Sequence, residues 1–133
     1  MSPQKGTTMQ HKILIVEDND NNRSLIRDIL TFHGYGVAVA ADGQEGVPMA
    51  RKLMPYLILM DIQMSGLDGM AAAGVLKEDP ATSGLKIIAL TSFAMRRDLE
   101  KCLEAGFDGY ISKPVSTREL PGLVKRWLEL EQI

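Results

Sequence analysis

The sequence predicts an α/β fold, a five-stranded parallel sheet with helices on both faces. Three observations predict it. Short apolar runs alternate with longer amphipathic stretches five times along the chain. The runs Lys12 to Val16 (KILIV), Leu57 to Met60 (LILM) and Lys86 to Leu90 (KIIAL) are almost wholly apolar, the habit of strands buried on both faces. Residues able to do chemistry stand just past these runs, where open α/β sheets hold their ligands. Successive parallel strands need crossover helices, and such crossovers are right-handed.

Taken in order, KILIV is strand one. Glu17-Asp18-Asn19-Asp20 leads into a helix that Asn19 or Asp20 can cap. Leu25, Ile26, Ile29 and Leu30 form its inward stripe, with Arg23, Arg27 and Asp28 outside. His33-Gly34 closes it, the glycine taking the left-handed position. His33 reads as a surface histidine at a helix end. Tyr35 to Ala40 is strand two, and Asp42-Gly43 turns into a helix through about Leu53. Gly46 and Pro48 predict a late start or a kink there. Pro55 ends it, and strand three runs to Asp61.

Ile62 to Gly69 is a loop, followed by a helix from about Met70 to Glu78 that Asp79-Pro80 stops. Gly74 inside it implies modest stability or close packing. Ala81 to Leu85 is a turn, and KIIAL is strand four, ending at Thr91-Ser92. A helix spans Ala94 to Ala105 with Met95, Leu99, Cys102 and Leu103 inward, and Gly106 caps it. Cys102 reads as core filler, with no local base to activate it. Gly109-Tyr110-Ile111 is a short fifth strand. Lys113-Pro114 then turns into a last helix from Thr117 to about Glu131, with Leu120, Leu123, Val124, Trp127 and Leu128 inward.

The totals exclude several classes. The 133 residues suit one domain, residues 11–133, behind a polar tail at residues 1–10 that has no apolar signal core. A net charge of -2, from 15 basic and 17 acidic residues, is no footprint for nucleic acid or an anionic membrane. No apolar stretch approaches the ~20 residues of a membrane span. The lone cysteine permits no internal disulfide and fits a reducing, cytoplasmic setting. His11 and His33 are too far apart in sequence to suggest a metal cluster by themselves. There is no phosphate-cradling glycine loop, no dinucleotide fingerprint and no nucleophile elbow.

Glu17, Asp18, Asp61, Thr91 and Lys113 all follow strand ends, so a parallel sheet gathers them at one edge. Three carboxylates packed together repel unless something positive sits among them. A hard divalent cation with oxygen ligands, Mg2+, is the natural occupant. Asp18 and Asp61 are the best direct ligands, Glu17 binds directly or through water, and the backbone carbonyl of Gln63 is a further candidate. A carboxylate oxygen of Asp61 can then attack phosphorus, with Lys113 pairing and the Thr91 hydroxyl donating to phosphoryl oxygens. The bland alternative is an α/β domain with acidic loops and a surface lysine.

The stretches ILIVEDNDNNR, YLILMDIQMSGLDG, IIALTSFAM and GYISKPV make the chain resemble the receiver domain of bacterial two-component response regulators. The match runs from Lys12 to Leu130. TSFAM and YISKP look most like the single-domain, DivK-like members and the receivers of hybrid kinases. The resemblance implies a flavodoxin-like strand order of 2-1-3-4-5. It implies Asp61 as phosphoacceptor, Glu17 and Asp18 as the magnesium pocket, Thr91 as the switch hydroxyl and Lys113 as the phosphate-contacting lysine. Tyr110 matches the aromatic switch position, and the Lys113-Pro114 bond is expected to be cis. Ser65 replaces a usual proline, Tyr56 a common aspartate, and Pro48 is unusual within the second helix.

The resemblance also implies partners. A histidine kinase or histidine phosphotransfer protein donates the phosphoryl group. A downstream protein reads a face reshaped around helix four, strand five and helix five, where Arg96 and Arg97 are either contacts or solvating charges. The expected state is a monomer or weak homodimer. The chain ends with its last helix, which fits either a stand-alone receiver or a piece of a longer protein. Two other classes compete with the signalling switch. An aspartate-nucleophile phosphohydrolase would want a second acid near Asp61, where Gln63 stands. A pseudo-receiver would bind partners without phosphorylation, against the intact pocket.

Overall fold

A computed structural model of the chain describes residues 12–63, 68–92 and 96–130. Five strands pair in parallel: β1 (Lys12–Val16), β2 (Gly36–Ala40), β3 (Leu57–Asp61), β4 (Lys86–Thr91) and β5 (Gly109–Ser112). Their order is β2-β1-β3-β4-β5, as the resemblance implies. Each central strand sends alternate residues to opposite faces, so an unbroken apolar run serves two cores. Ile13, Ile15, Leu57, Leu59, Ile88 and Leu90 face one way. They pack on Ile26 and Leu30 of α1 (Asp20–Phe32) and on Leu120 and Val124 of α5 (Leu120–Leu130). Leu14, Val16, Ile58, Met60, Ile87 and Ala89 face the other way. There they meet α2 (Gly43–Leu53), α3 (Gly69–Glu78) and α4 (Arg96–Ala105). The register pairs Val16 with Met60 and Met60 with Ala89, which aligns the carboxyl ends of the three central strands.

The helix caps follow the sequence. Asn19 caps α1, its Oδ1 accepting from the Asn22 amide at 2.9 Å, and Gly34 adopts φ +92° beyond the helix end. The Lys113-Pro114 bond is cis. α2 begins at Gly43 without the expected late start. Asp42 caps it by accepting from Glu45 N at 2.9 Å. Gly46 is required by space, since a Cβ there would meet Val16 Cγ2 at 2.9 Å. Pro48 sits on the exposed side of α2, where it removes one amide donor without placing its ring in the core. α3 starts at Gly69, earlier than expected, because Asp68 accepts from Ala71 N at 2.8 Å. Gly74 has nothing within 4 Å of where its Cβ would be, so close packing is not its reason. Of the small residues in α3, Ala72 and Ala73 are buried against the sheet.

Two inward assignments and one helix start need correcting. Leu25 is 43% exposed, because Ile26 and Leu30 occupy the centre of the α1 contact and Leu25 is rotated about 100° from Ile26. Leu103 is 56% exposed for the same reason: Cys102 takes the inward position and its neighbour turns out. α5 starts at Leu120 rather than Thr117, with residues 117–119 forming a turn closed by Leu120 N to Ser116 O at 3.0 Å. Pro121 suits a first helical turn, and with no amide to donate to Thr117 O it interrupts the helical bonding before Leu120. Residues 1–10, His11, Ser65, Ala94 and Met95 lie outside the described residues, as does the expected end at Glu131.

Cys102 is 1% exposed, and burial, with a lesser push from Asp98, raises its thiol above the ordinary value. The thiolate is the reactive form. Cys102 is therefore expected to resist a thiol reagent in the native protein and to react fully once unfolded. Absorbance of released aromatic thiol, with and without denaturant, checks this; equal rates would contradict the packing.

Candidate functional site

Beyond β1 the pairing with β2 continues by one residue, Glu17 N donating to Ala40 O at 3.1 Å. This holds the Glu17 side chain inside, with no exposed surface. Its Oε2 accepts from Asn19 N at 3.1 Å, and its main-chain carbonyl accepts from Arg23 Nη1 at 2.8 Å. Asp18, next along, is exposed. Asp61 ends β3 and is 2% exposed; its Oδ1 accepts from Gln63 N at 2.8 Å. Thr91 ends β4 and is buried, with Leu90 level with Asp61 in the register. β5 pairing also runs on by one residue, Lys113 N donating to Thr91 O at 2.8 Å. That brings Lys113 back to the edge where the carboxylates lie.

The result is a cluster of opposite charges. Lys113 Nζ donates to Asp61 Oδ2 at 2.7 Å and stands 3.0 Å from Glu17 Oε1. Ligand oxygens of Glu17, Asp18 and Asp61 all lie within 4.8 Å of one another. Burial pushes the Glu17 carboxyl above its ordinary value, and the adjacent Asp61 carboxylate pushes it further. The Asn19 amide and Lys113 offset this only in part. Burial works against the Lys113 ammonium too, but Asp61 and Glu17 outweigh it and hold its pKa above the ordinary value.

These residues fit a hard divalent cation. The donors are all oxygens, as Mg2+ requires, and three carboxylates against one ammonium leave net negative charge. Glu17 Oε1 is the most specific sign. It is buried and close to Lys113 Nζ, yet it accepts no aligned hydrogen bond from the described residues. A contact of charges without hydrogen-bond geometry leaves that oxygen with unused capacity.

Tyr110 lies elsewhere. It is 45% exposed on β5, level with Ala89, beside a cleft of about 380 Å³ that Pro114, Val115, Glu119 and Leu123 also line. Arg96 and Arg97 are exposed at the start of α4. Sequence reasoning left Arg23 among the outward residues of α1. Its signal was there: a basic residue one helical turn and a half past an acidic pair can fold back on the loop carrying that pair.

The response regulator receiver domain model matches residues 13–125 of the chain. The polar-differentiation response regulator DivK of Brucella anthropi is 38% identical over 120 residues, covering 90% of this chain and 98% of that protein. This chain belongs to the response regulator receiver family. Among solved structures, the receiver resembles a putative response regulator from Chloroflexus aurantiacus, with TM-score 0.83 and 31% identity over 90% of this chain and 98% of the other. It also resembles the receiver domain of the sensor histidine kinase PA1611 from Pseudomonas aeruginosa, with TM-score 0.82 and 37% identity, at 90% and 98% coverage. That structure is described with a magnesium ion coordinated in its active-site cleft. Receiver domains are modules of two-component signalling that bind Mg2+ at an acidic site and work with histidine kinases and downstream partners. Among the described residues, no helix of this receiver is long and apolar enough to cross a membrane.

Proposed function

We propose that this receiver takes a phosphoryl group onto Asp61 from a phosphohistidine of a histidine kinase or phosphotransfer protein, in the cytoplasm, and signals by protein contact. One observation carries the reading: a nearly buried aspartate 2.7 Å from a lysine ammonium, inside a ring of carboxylates within 4.8 Å. A carboxylate oxygen of Asp61 attacks phosphorus, the phosphorus–nitrogen bond breaks, and the imidazole, protonated on its other nitrogen, leaves as the neutral ring. The product is an acyl phosphate. Lys113 is placed to pair with a phosphoryl oxygen once the group arrives, and the Thr91 hydroxyl to donate to another. Asp18 and Asp61, Glu17 directly or through water, and the Gln63 carbonyl would hold Mg2+. Bound there, the cation supplies positive charge for the phosphoryl oxygens. The chain's own part is to orient Asp61 and set the charge around it, which makes it a switch rather than a turnover enzyme.

Thr91 and Tyr110 carry the output. Thr91 is buried at the end of β4, and Tyr110 stands half-exposed on the neighbouring strand beside an open cleft. Drawing Thr91 towards the phosphoryl group leaves space into which the ring of Tyr110 can turn, changing the face formed by α4, β5 and α5. The receiver acts as a monomer or weak homodimer.

The test is intact mass after incubation with acetyl phosphate or phosphoramidate and Mg2+. Wild type should gain one phosphoryl group, and Asp61→Asn should gain none. Labelling of Asp61→Asn to the wild-type level would overturn the assignment.

A further inference from the structure

We infer that Arg23 is a positioning residue for the cation pocket, an inference that rests on the reading of that pocket as a Mg2+ site. Its Nη1 donates to the main-chain carbonyl of Glu17 at 2.8 Å, and Nη2 pairs with Asp20 Oδ1. The side chain is only 20% exposed, although it springs from the outward part of α1. The carbonyl it holds belongs to the peptide joining Glu17 to Asp18. Fixing that peptide plane fixes the direction in which the Asp18 side chain leaves the backbone.

The rest of the loop shows why such a clamp matters. Glu17 is tied on both sides, through its amide to Ala40 O and through Oε2 to Asn19 N. The next tie is the Asn19 cap onto the Asn22 amide. The Glu17 carbonyl lies between these two anchors, and Arg23 is the group holding it. Asp18 is exposed, so packing does not hold its carboxylate beside those of Glu17 and Asp61. Groups that orient ligands without touching the metal commonly change its affinity strongly. A guanidinium suits the task, because its planar fork reaches Glu17 O and Asp20 together and keeps its charge at all working pH values.

Two effects of Arg23 on a cation have opposite sign, and this makes the role testable. As a positive charge near the pocket it repels a cation, so removing the charge alone would tighten binding. As a clamp it aligns the carboxylates, so removing it should loosen binding. Direct Mg2+ titration by calorimetry on wild type, Arg23→Gln and Arg23→Lys separates them, with melting temperatures taken in metal-free buffer. Arg23→Gln should bind Mg2+ about 10-fold more weakly. Arg23→Lys, with one donor in reach of the carbonyl but no fork, should fall between that variant and wild type. An unchanged or tighter affinity in Arg23→Gln would overturn the clamp. A lowered melting temperature with unchanged affinity would overturn it too, leaving Arg23 a helix-stabilising residue. If Arg23→Gln does not fold, Arg23→Lys decides: a few-fold loss of affinity supports the clamp and wild-type affinity overturns it. A wild type that binds no Mg2+ would instead refute the pocket itself, a separate outcome.

Discussion

Gly69→Ala is expected to destabilise the receiver by about 3 kcal/mol, near the upper end of what overpacking a tight contact costs. A Cβ at this position would meet Asp61 O at 2.3 Å, Ile62 Cα at 2.7 Å and Asp61 C at 2.9 Å. All three are backbone atoms, so no side chain can swing away to make room. The conflict is one of space and not of backbone conformation, since Gly34 and Gly106 are the glycines held at positive φ among the described residues. Relief requires α3 to move off β3 or the end of β3 to bend. Either motion shifts the carboxylate on which the proposed chemistry depends. Misplacing a reacting group is costly in rate, so labelling of Asp61 should slow by on the order of 10-fold or more, even where the variant is fully folded. Gly74→Ala on the same helix is the control. Its Cβ would enter open space, and it should stabilise by about 0.5 kcal/mol by removing glycine from a helix interior. Thermal melts followed by circular dichroism, with initial rates of mass gain below the transition, measure both. Equal stability of the two variants would refute the close approach of α3 to Asp61.

Much of this arrangement is legible in the sequence because a parallel sheet converts order into place. Three apolar runs, each followed at once by a carboxylate or a hydroxyl, put Glu17, Asp61 and Thr91 at one edge before any contact is known. Lys113 joins them because pairing of β5 with β4 runs one residue past Ser112. What fails to read through is the exact rotation of helices. Leu25 and Leu103 are apolar and sit beside the inward Ile26 and Cys102, and the step of about 100° per residue that turns them out is finer than an apolar stripe resolves. Helix ends are decided by local partners. Asp68 starts α3 at Gly69 through one accepted hydrogen bond, and Pro121 delays α5 to Leu120 by lacking an amide, neither of which a periodicity registers. Gly46 looked like a helix breaker and proves to be a contact surface for Val16. Arg23 lies outside the inward stripe of α1, yet its guanidinium reaches back to Glu17, a contact that stripe periodicity does not carry.

Lys113→Met should cost about 3 kcal/mol in metal-free buffer near neutral pH, because it strips the ammonium from two buried carboxylates and leaves them facing each other. The pH dependence gives the sign. In wild type the lysine is held above its ordinary value of 10.5, so its contribution is full below that value and is lost as pH climbs through the higher folded one. Glu17 has the same sign in a lower pH window. Its carboxyl is raised above 4.5, so the folded state keeps a proton that the unfolded chain has released, and stability falls as pH rises through that window. Without Lys113 the Glu17 value climbs further and the window widens upward. The stability gap between variant and wild type should therefore narrow on acidification and close at strongly alkaline pH, where wild type has lost its ammonium charge. Added Mg2+ should raise the melting temperature of Lys113→Met more than that of wild type, since a cation restores positive charge among the same oxygens. Labelling of Asp61 should nevertheless stay slow, because the cation does not replace the ammonium proposed to meet the phosphoryl group. Urea titrations across pH, with and without Mg2+, read each of these. A variant as stable as wild type in metal-free buffer near neutrality would show that the buried carboxylates do not need this lysine.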